Sequence, residues 1–134
     1  MDEAEARTRF AAARVARLAT VDAGGTPHLV PVTFALRGDT VVIAVDHKPK
    51  RTTDLKRLRN IEAHPRVSLL ADHYAEDWTR LWWVRADGTA RVLRAGGEVG
   101  ELVAKYPQYT ARPPAGPVVL VAVTSWRGWA ASGG

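Results

Sequence analysis

The spacing of the β-type segments constrains the fold of this chain more than any other sequence feature. Apolar, β-branched segments recur along most of the sequence, and short turns rich in glycine and aspartate separate them. Only the segment 52–63 offers a crossover helix between parallel strands, because such a connection needs about a dozen residues or more. The pattern therefore predicts a mainly β protein with short helices. A small closed barrel of six or seven strands fits it better than a parallel α/β sheet.

The predicted elements follow one another closely. Helices are expected at 2–16, 52–63 and 98–106, and strands at 18–22, 28–36, 40–45, 67–71, 81–85, 90–94 and 118–123. The turn chemistry around Asp87 and Gly88 indicates a hairpin that joins 81–85 to 90–94. Pro31 lies inside a predicted strand, and since proline cannot donate to a neighbouring strand, it indicates an edge or a bulge there.

Length and composition favour a single domain over residues 1–134, with an N-terminal helical segment at 1–17 and a flexible tail at 130–134. The chain has no cysteine, which excludes disulfides and thiolate metal sites. Its acidic N-terminus does not resemble a signal peptide. No uncharged apolar stretch approaches the roughly 18 residues of a membrane span. A cytoplasmic location is therefore expected.

One short segment, 48–59, which we call the basic segment, carries the charge imbalance of the chain. It contains six basic residues and one acid, so its net charge equals the +5 of the whole sequence. A strand pattern precedes it and a helix pattern follows, and a helix start is a favourable place for an anion. Lys50, Arg51 and the Thr52 hydroxyl would donate to a phosphate, and Lys48 would reach the same anion. The alternative is a solvated, charged helix start that binds nothing.

Other familiar sites lack their sequence signals. The four histidines have no metal-ligand spacing, so no metal site is predicted. The chain contains no Gly-x-Ser-x-Gly motif, Gly-Lys-Ser/Thr phosphate loop or Gly-x-Gly-x-x-Gly motif, so hydrolase, nucleotide triphosphatase and Rossmann interpretations lose their usual support. A nucleic-acid-binding module is a weak alternative, because the basic segment contains no aromatic residue and the rest of the sequence is neutral. No nucleic-acid partner is therefore expected.

Two adjacent tryptophans, Trp82 and Trp83, lie in a predicted strand, so their side chains point to opposite faces. One is expected to enter the barrel core. The other is expected to meet solvent, a partner subunit or a cofactor ring, and we expect Trp83 to be this second residue.

The ordered set of motifs resembles a known family. The run from Leu18 to Val32, Leu-Ala-Thr-Val-Asp-Ala-Gly-Gly-Thr-Pro-His-Leu-Val-Pro-Val, is similar to the opening hairpin of the pyridoxamine 5′-phosphate oxidase-like split β-barrel superfamily. The elements that follow in the order of that superfamily are the strand 41–45, the basic turn 48–52, the helix 53–62 and the segment 64–69. The block 71–85 is most similar to the actinobacterial branch that depends on the deazaflavin coenzyme F420.

The resemblance implies an FMN-binding-like split β-barrel with Greek-key topology, and a homodimer whose cofactor sites lie between the subunits. It implies coenzyme F420 as the cofactor, and hydride transfer to a small, hydrophobic, electron-poor acceptor such as an enone or a quinone. Flavin mononucleotide (FMN) is the alternative cofactor, less favoured because no Arg-x-x-x-Lys pair lies on a strand after the opening hairpin. The cofactor-binding residues expected on all these grounds are Lys48, Lys50, Arg51, Thr52, His28, Pro31, Val32, Thr33 and Trp83.

No catalytic side chain is assigned, and two other functions stay open. A lone histidine at the start of a strand, such as His28, is more often structural than chemical, and the cofactor itself would supply the hydride. The same residues would serve a non-catalytic protein that stores or carries F420 or a flavin. An FMN-dependent, oxidase-like enzyme is the second alternative.

Overall fold

The computed structural model describes residues 1–45, 56–94 and 99–132 of the 134-residue chain. Its helices are α1 (Glu3–Ala12), α2 (Lys56–Ala63), α3 (Gly100–Lys105) and α4 (Gln108–Ala111), and a 3₁₀ turn occupies Trp78–Arg80. Its strands are β1 (Ala16–Val21), β2 (Pro27–Val32), β3 (Ala35–Arg37), β4 (Thr40–Ala44), β5 (Arg66–His73), β6 (Trp82–Leu93) and β7 (Val118–Ala130).

The seven strands form one antiparallel sheet in the order β2-β1-β5-β6-β7-β4-β3. This confirms the predicted mainly β fold with a few short helices. Pro31 lies on β2 at one end of the order, which confirms its predicted edge position. An edge strand tolerates proline because one of its sides needs no amide donor.

The link between β2 and β3 forces the sheet to curl. These two strands lie at opposite ends of the sheet order, yet only Thr33 and Phe34 connect them. The three Cα–Cα steps from Val32 to Ala35 span at most about 11 Å, so the two edges of the sheet must approach each other. The predicted single strand 28–36 is therefore broken here, and the sheet closes into a split β-barrel.

The hydroxyl group of Tyr106 holds this seam together. Its oxygen accepts a hydrogen bond from the Phe34 amide at 3.2 Å. It lies 3.1 Å from the Phe34 carbonyl oxygen and 2.9 Å from that of Arg14, the two acceptors for its proton. Phe34 lies outside both strands, so these contacts satisfy backbone groups that the sheet leaves unpaired. The Phe34 ring is fully buried against Phe10, with the ring centroids 4.6 Å apart.

β6 shows that the predicted hairpin at 81–94 is wrong. The segment is one strand of 12 residues, and the step from Asp87 to Gly88 is an irregularity in its pairing with β7 rather than a turn. A Cβ on Gly88 would lie 2.9 Å from the carbonyl carbon of Ala122 and closer still to its oxygen. Glycine is therefore required here for the close approach of a neighbouring strand, its other common role in a sheet.

The ends of the chain also differ from the predicted boundaries. α1 ends at Ala12 rather than near residue 16, because β1 already begins at Ala16. β7 continues past residue 123 to Ala130, since β6 pairs with it along that whole length. The predicted tail begins at Ala130, the last residue of β7, and the Ala131 amide after it donates to the Leu81 carbonyl at 2.9 Å.

Apolar side chains fill the barrel and form a second layer outside it. The inner faces of the strands meet α1 and α2 in a main core, whose fully buried large side chains include Phe10, Leu18, Phe34, Leu58, Ile61, Leu69 and Val84. Outside the barrel, α3 and α4 cover β3, β4 and β7 with a second cluster that includes Val42, Leu102, Tyr106, Tyr109, Val118 and Leu120. The apolar start of β7 is thus covered on both faces within one chain.

We expect Gly88→Ala to lower the free energy of unfolding by about 1–3 kcal/mol, because the new methyl group overlaps the backbone of β7. Urea denaturation followed by circular dichroism measures the change. Gly100→Ala is the matched control, since a Cβ there meets nothing within 4 Å. It should be neutral or stabilising by up to about 1 kcal/mol. Equal stability of the two variants would contradict the role assigned to Gly88.

Candidate functional site

The predicted phosphate ligands Lys48, Lys50, Arg51 and Thr52 lie outside the described residues. The structure does place the end of the basic segment that enters α2. The Lys56 ammonium nitrogen lies 3.5 Å from Oδ2 of Asp22, in the turn between β1 and β2. Lys56, the first residue of α2, therefore lies beside the tip of the first hairpin.

The Asp22 side chain stabilises that turn through hydrogen bonds. Its Oδ1 accepts hydrogen bonds from the amides of Thr26 and Gly24, each at 2.9 Å. The hydrogen bond from Thr26 is the main cause that lowers the pKa of the Asp22 carboxyl; burial opposes it, and the Gly24 bond and the Lys56 charge lower the pKa further. The carboxylate is consequently ionised at neutral pH and partly neutralises the start of α2.

A wide groove of about 700 Å³ runs across the outer face of β2, β1, β5 and β6. We call it the outer groove; its lining residues are Arg17, Ala19, Leu29, Ser68, Leu69, Leu70, Asp72, Trp83 and Arg85. The strand register builds it, because Arg17 lies opposite Leu70 and Asp72 lies opposite Trp83. Side chains alternate across each strand, so Ser68 and Leu70 face outward, whereas Leu69 between them is fully buried in the main core.

Large apolar side chains are exposed in and beside the outer groove. Leu29 is 67% exposed and Leu70 is 38% exposed. Trp129, which lies opposite Trp83 in the β6–β7 register, is 47% exposed. Contiguous apolar surface of this kind marks a ligand-binding groove or a protein interface.

Two ion pairs lie along the polar side of the outer groove. The Arg17 guanidinium lies 3.4 Å from the Asp72 carboxylate, and that of Arg85 lies 3.0 Å from Asp87. Asp87 also accepts a hydrogen bond of 2.6 Å from the Ser68 hydroxyl. These contacts hold two guanidinium groups beside an apolar wall, an arrangement suited to a planar ligand with polar edges.

The predicted ring-contacting residues of β2 do not share one surface. Pro31 is exposed on the outer face, whereas Val32 is buried in the main core. The Thr33 hydroxyl lies 2.9 Å from the Tyr109 hydroxyl, on the side of α4. Side chains alternate between the two faces of β2, and the strand ends before Thr33. The side chains of Pro31, Val32 and Thr33 therefore point in three different directions.

His28 points towards the inside of the hairpin rather than to the outer groove. It lies opposite Thr20 in the β1–β2 register, and the Thr20 hydroxyl accepts a hydrogen bond from the Asn60 side chain at 3.1 Å. Its Nδ1 atom is buried and has no hydrogen-bond partner among the described residues. The half-buried ring is therefore associated with a small polar cluster at the end of the barrel near α2.

The two adjacent tryptophans divide as the sequence predicts. Trp82 packs against the main core, and the Arg9 guanidinium carbon lies 5.6 Å from its ring centroid. Trp83 lines the outer groove instead. Of the residues proposed to contact a cofactor, Trp83 is thus the one in the described chain that faces an open apolar wall.

A second cavity, of about 470 Å³, was not anticipated from the sequence. We call it the tyrosine cleft; its lining residues are Arg14, Thr33, Tyr106, Pro107, Gln108 and Tyr109. It lies where α4 meets the seam between β2 and β3. The run Tyr-Pro-Gln-Tyr at 106–109 was its only sequence signal. The contact with Thr33 depends on residues far apart in the chain.

Lys105 lies at the edge of this region in an unusual setting. Its ammonium nitrogen donates to the Ala13 carbonyl at 2.7 Å and lies 3.8 Å from the centroid of the Phe34 ring. Its pKa falls from 10.5 to about 8, first because the group is half-buried and second because the Arg14 cation is close. Burial also raises the pKa of the adjacent Tyr106 hydroxyl.

The lowered pKa of Lys105 predicts a rise in stability with pH. The folded protein releases this proton near pH 8, whereas the unfolded chain keeps it until about pH 10.5. Raising the pH through that window therefore favours the folded state. We expect the melting temperature of the wild type to rise with pH through this window. The melting temperature of Lys105→Met should not show this rise.

Lys56→Met is the control, since it removes an exposed ammonium group that is paired with Asp22. Scanning calorimetry at pH 7.5, 8.5 and 9.5 compares the three proteins. The same pH dependence in Lys105→Met as in the wild type would show that burial does not shift this pKa.

The architecture defines the class of protein. A curled antiparallel sheet, closed through a two-residue link and filled by its own side chains, is a split β-barrel. The family model described as pyridoxamine 5′-phosphate oxidase matches residues 2–130. The chain belongs to this family.

Solved structures with the same fold include proteins with different ligands in their descriptions. The heme storage protein HutZ from Vibrio cholerae is 16% identical with a TM-score of 0.71, covering 96% of this chain and 93% of its own. A FAD-binding protein from Mesorhizobium loti is 18% identical with a TM-score of 0.68 and coverages of 96% and 94%. The FAD-binding protein from Mycobacterium smegmatis is 19% identical with a TM-score of 0.62, again with coverages of 96% and 94%. At these identities the similarity concerns the fold alone.

No curated protein matches the sequence of this chain. In the described ranges, no three histidine, aspartate or glutamate side chains are grouped so that they could hold a metal ion. None of the helices seen in those ranges is both long and apolar enough to cross a membrane.

Proposed function

We propose that this protein binds the deazaflavin coenzyme F420 and transfers hydride between it and a small, electron-poor acceptor such as an enone or a quinone. The observation that carries the proposal is the outer groove, an exposed apolar wall with Trp83 on it and guanidinium groups beside it. The family membership and the resemblance of the block 71–85 to the F420-dependent branch support the choice of cofactor.

The residues of the outer groove fit a planar, fused-ring cofactor. Trp83, Leu29 and Leu70 offer the apolar contact that such a ring requires. Arg17 and Arg85, which line the same groove, would donate to the polar edges of the ring. The barrel interior is an unsuitable alternative site, because buried side chains such as Leu18 and Leu69 already occupy it.

The basic segment is the proposed site of the cofactor phosphate, through Lys48, Lys50, Arg51 and Thr52. Charged donors at a helix start suit a phosphate. The contact between Lys56 and Asp22 supports this proposal, since it joins the segment to the hairpin that carries the groove. The cationic side chains further along α2 would attract the anionic tail of F420.

When bound, F420 supplies the hydride chemistry, and the chain supplies binding, orientation and exclusion of water. Trp83 and Leu70 would fix the plane of the ring, and the basic segment would fix its phosphate end. No side chain is assigned to proton transfer. The proposed enzyme therefore works by positioning two reactants against each other in a dry groove.

A homodimer is part of the proposal, because the outer groove is open on one side. A second copy placed over Leu29, Leu70 and Trp129 would bury their exposed apolar surface and would exclude water from a bound ring. A two-fold arrangement gives two equivalent sites, each with one wall from each subunit.

Titration of the intrinsic tryptophan fluorescence with F420, FMN and heme in parallel tests the choice of cofactor. Saturable quenching by micromolar F420, with reduced F420 then consumed by an enone or quinone, is the expected result. Binding of F420 without turnover would indicate the storage alternative. Preference for FMN would favour the oxidase-like alternative, and preference for heme would favour a function similar to that of HutZ.

We expect the double variant Lys50→Ala with Arg51→Ala to weaken F420 binding by several kcal/mol, since each charge-assisted hydrogen bond contributes about 1.5–3 kcal/mol. The fluorescence titration measures this loss. Arg91→Ala with Arg94→Ala removes the same charge from exposed positions of the chain and should change the affinity little. Equal losses in the two double variants would point to general electrostatic attraction and not to a phosphate site.

Leu29→Glu should convert the proposed dimer to a monomer of 14.6 kDa. A charge at this exposed edge position would be buried unpaired in the interface, while the folded monomer tolerates it. Size-exclusion chromatography with light scattering gives the mass. Ala104→Glu, at an exposed position on α3, is the control and should remain dimeric. A wild-type protein that is monomeric at all concentrations would refute the dimer.

A further inference from the structure

We propose that the tyrosine cleft is a second binding site, for an aromatic carboxylic acid. The cleft shares no lining residue with the outer groove, so this proposal does not depend on the cofactor assigned there. Arg14 would bind the carboxylate, and the apolar surface of the cleft would hold the ring.

The first argument is charge. Among the residues that the structure describes, neither Arg14 nor Lys105 forms an ion pair with a carboxylate. The Arg14 guanidinium donates to the Lys105 carbonyl at 2.9 Å, which holds the two cations close together. Glu101, an acid on the same helix as Lys105, is engaged by Arg37 at 3.2 Å. The two cations repel each other, and an anion in the cleft would relieve this repulsion.

The second argument is the shape and chemistry of the walls. Tyr106 and Tyr109 form an edge-to-face pair with ring centroids 5.8 Å apart. Pro107, which follows Tyr106 in the chain, adds apolar surface to the cleft. The polar groups of the lining side chains are the paired hydroxyls of Thr33 and Tyr109, the Tyr106 hydroxyl, the Gln108 amide and the Arg14 guanidinium. Apolar walls with few polar groups select a ligand that is largely a ring.

These arguments favour an aromatic carboxylate over a simple inorganic anion. A guanidinium group matches the two oxygens of a carboxylate with two parallel hydrogen bonds. Inorganic phosphate would gain the charge but would leave the tyrosine and proline surfaces without contact. The volume of about 470 Å³ suits a ligand of one or two rings.

The experiment is a calorimetric titration of the full chain with 2-naphthoate, and with its uncharged analogue 2-naphthamide and inorganic phosphate as comparisons. We expect saturable binding of 2-naphthoate and at least tenfold weaker binding of the other two. Arg14→Gln should weaken the binding of 2-naphthoate at least tenfold. Arg17→Gln, a matched change in the outer groove, should leave it unaltered.

A second readout distinguishes ligand binding from a folding defect in Arg14→Gln. In the wild type, saturating 2-naphthoate should raise the pH midpoint for acetylation of Lys105, followed by mass spectrometry, because a nearby anion favours the charged amine. Gln108→Glu, at an exposed position in the cleft, should weaken the binding of 2-naphthoate by charge repulsion.

Three results would overturn the proposal. One is equal binding of 2-naphthamide or phosphate, which would remove the preference for an aromatic carboxylate. Another is loss of binding in Arg17→Gln with retention in Arg14→Gln, which would place the acid in the outer groove. The third is an unchanged midpoint for Lys105 at saturation.

Discussion

The two-residue link between β2 and β3 is the constraint on which the rest of the structure depends. It joins strands from opposite ends of one sheet, so the sheet must curl until its edges meet. Phe34 fills the seam from inside, and the Tyr106 hydroxyl satisfies the Phe34 backbone from outside. A longer link would leave the sheet free to open, and the inner faces of its strands would lose their common core.

Closure decides where a ligand can bind. The curled sheet is filled by its own side chains together with those of α1 and α2. The outer surfaces of the described sheet differ in how they are covered. β3, β4 and β7 are covered by α3 and α4. On the face of β2, β1, β5 and β6, which carries Leu29, Leu70 and Trp83, no helix of the described ranges forms such a cover, and this difference favours the outer groove as a binding surface.

The sequence predicted those features that depend on one segment at a time. Proline chemistry placed Pro31 at an edge, and strand alternation separated Trp82 from Trp83, because both rules are local. The Asp87-Gly88 step was misread because glycine serves a turn and a close strand contact equally well, and only the position of Ala122 distinguishes them. The tyrosine cleft was missed for a related reason: Thr33 and Tyr109 meet only after the barrel has closed.

Tyr106 belongs both to the seam and to the tyrosine cleft, and this shared position limits how the protein can change. A substitution at 106 that reshaped the cleft would also remove the hydroxyl that serves Phe34 and Arg14. Gln108 has no such duty in the seam, and it is exposed. Related sequences should therefore differ more often at position 108 than at position 106. The exposed edge of the cleft would then vary, while the residue that it shares with the seam would stay the same.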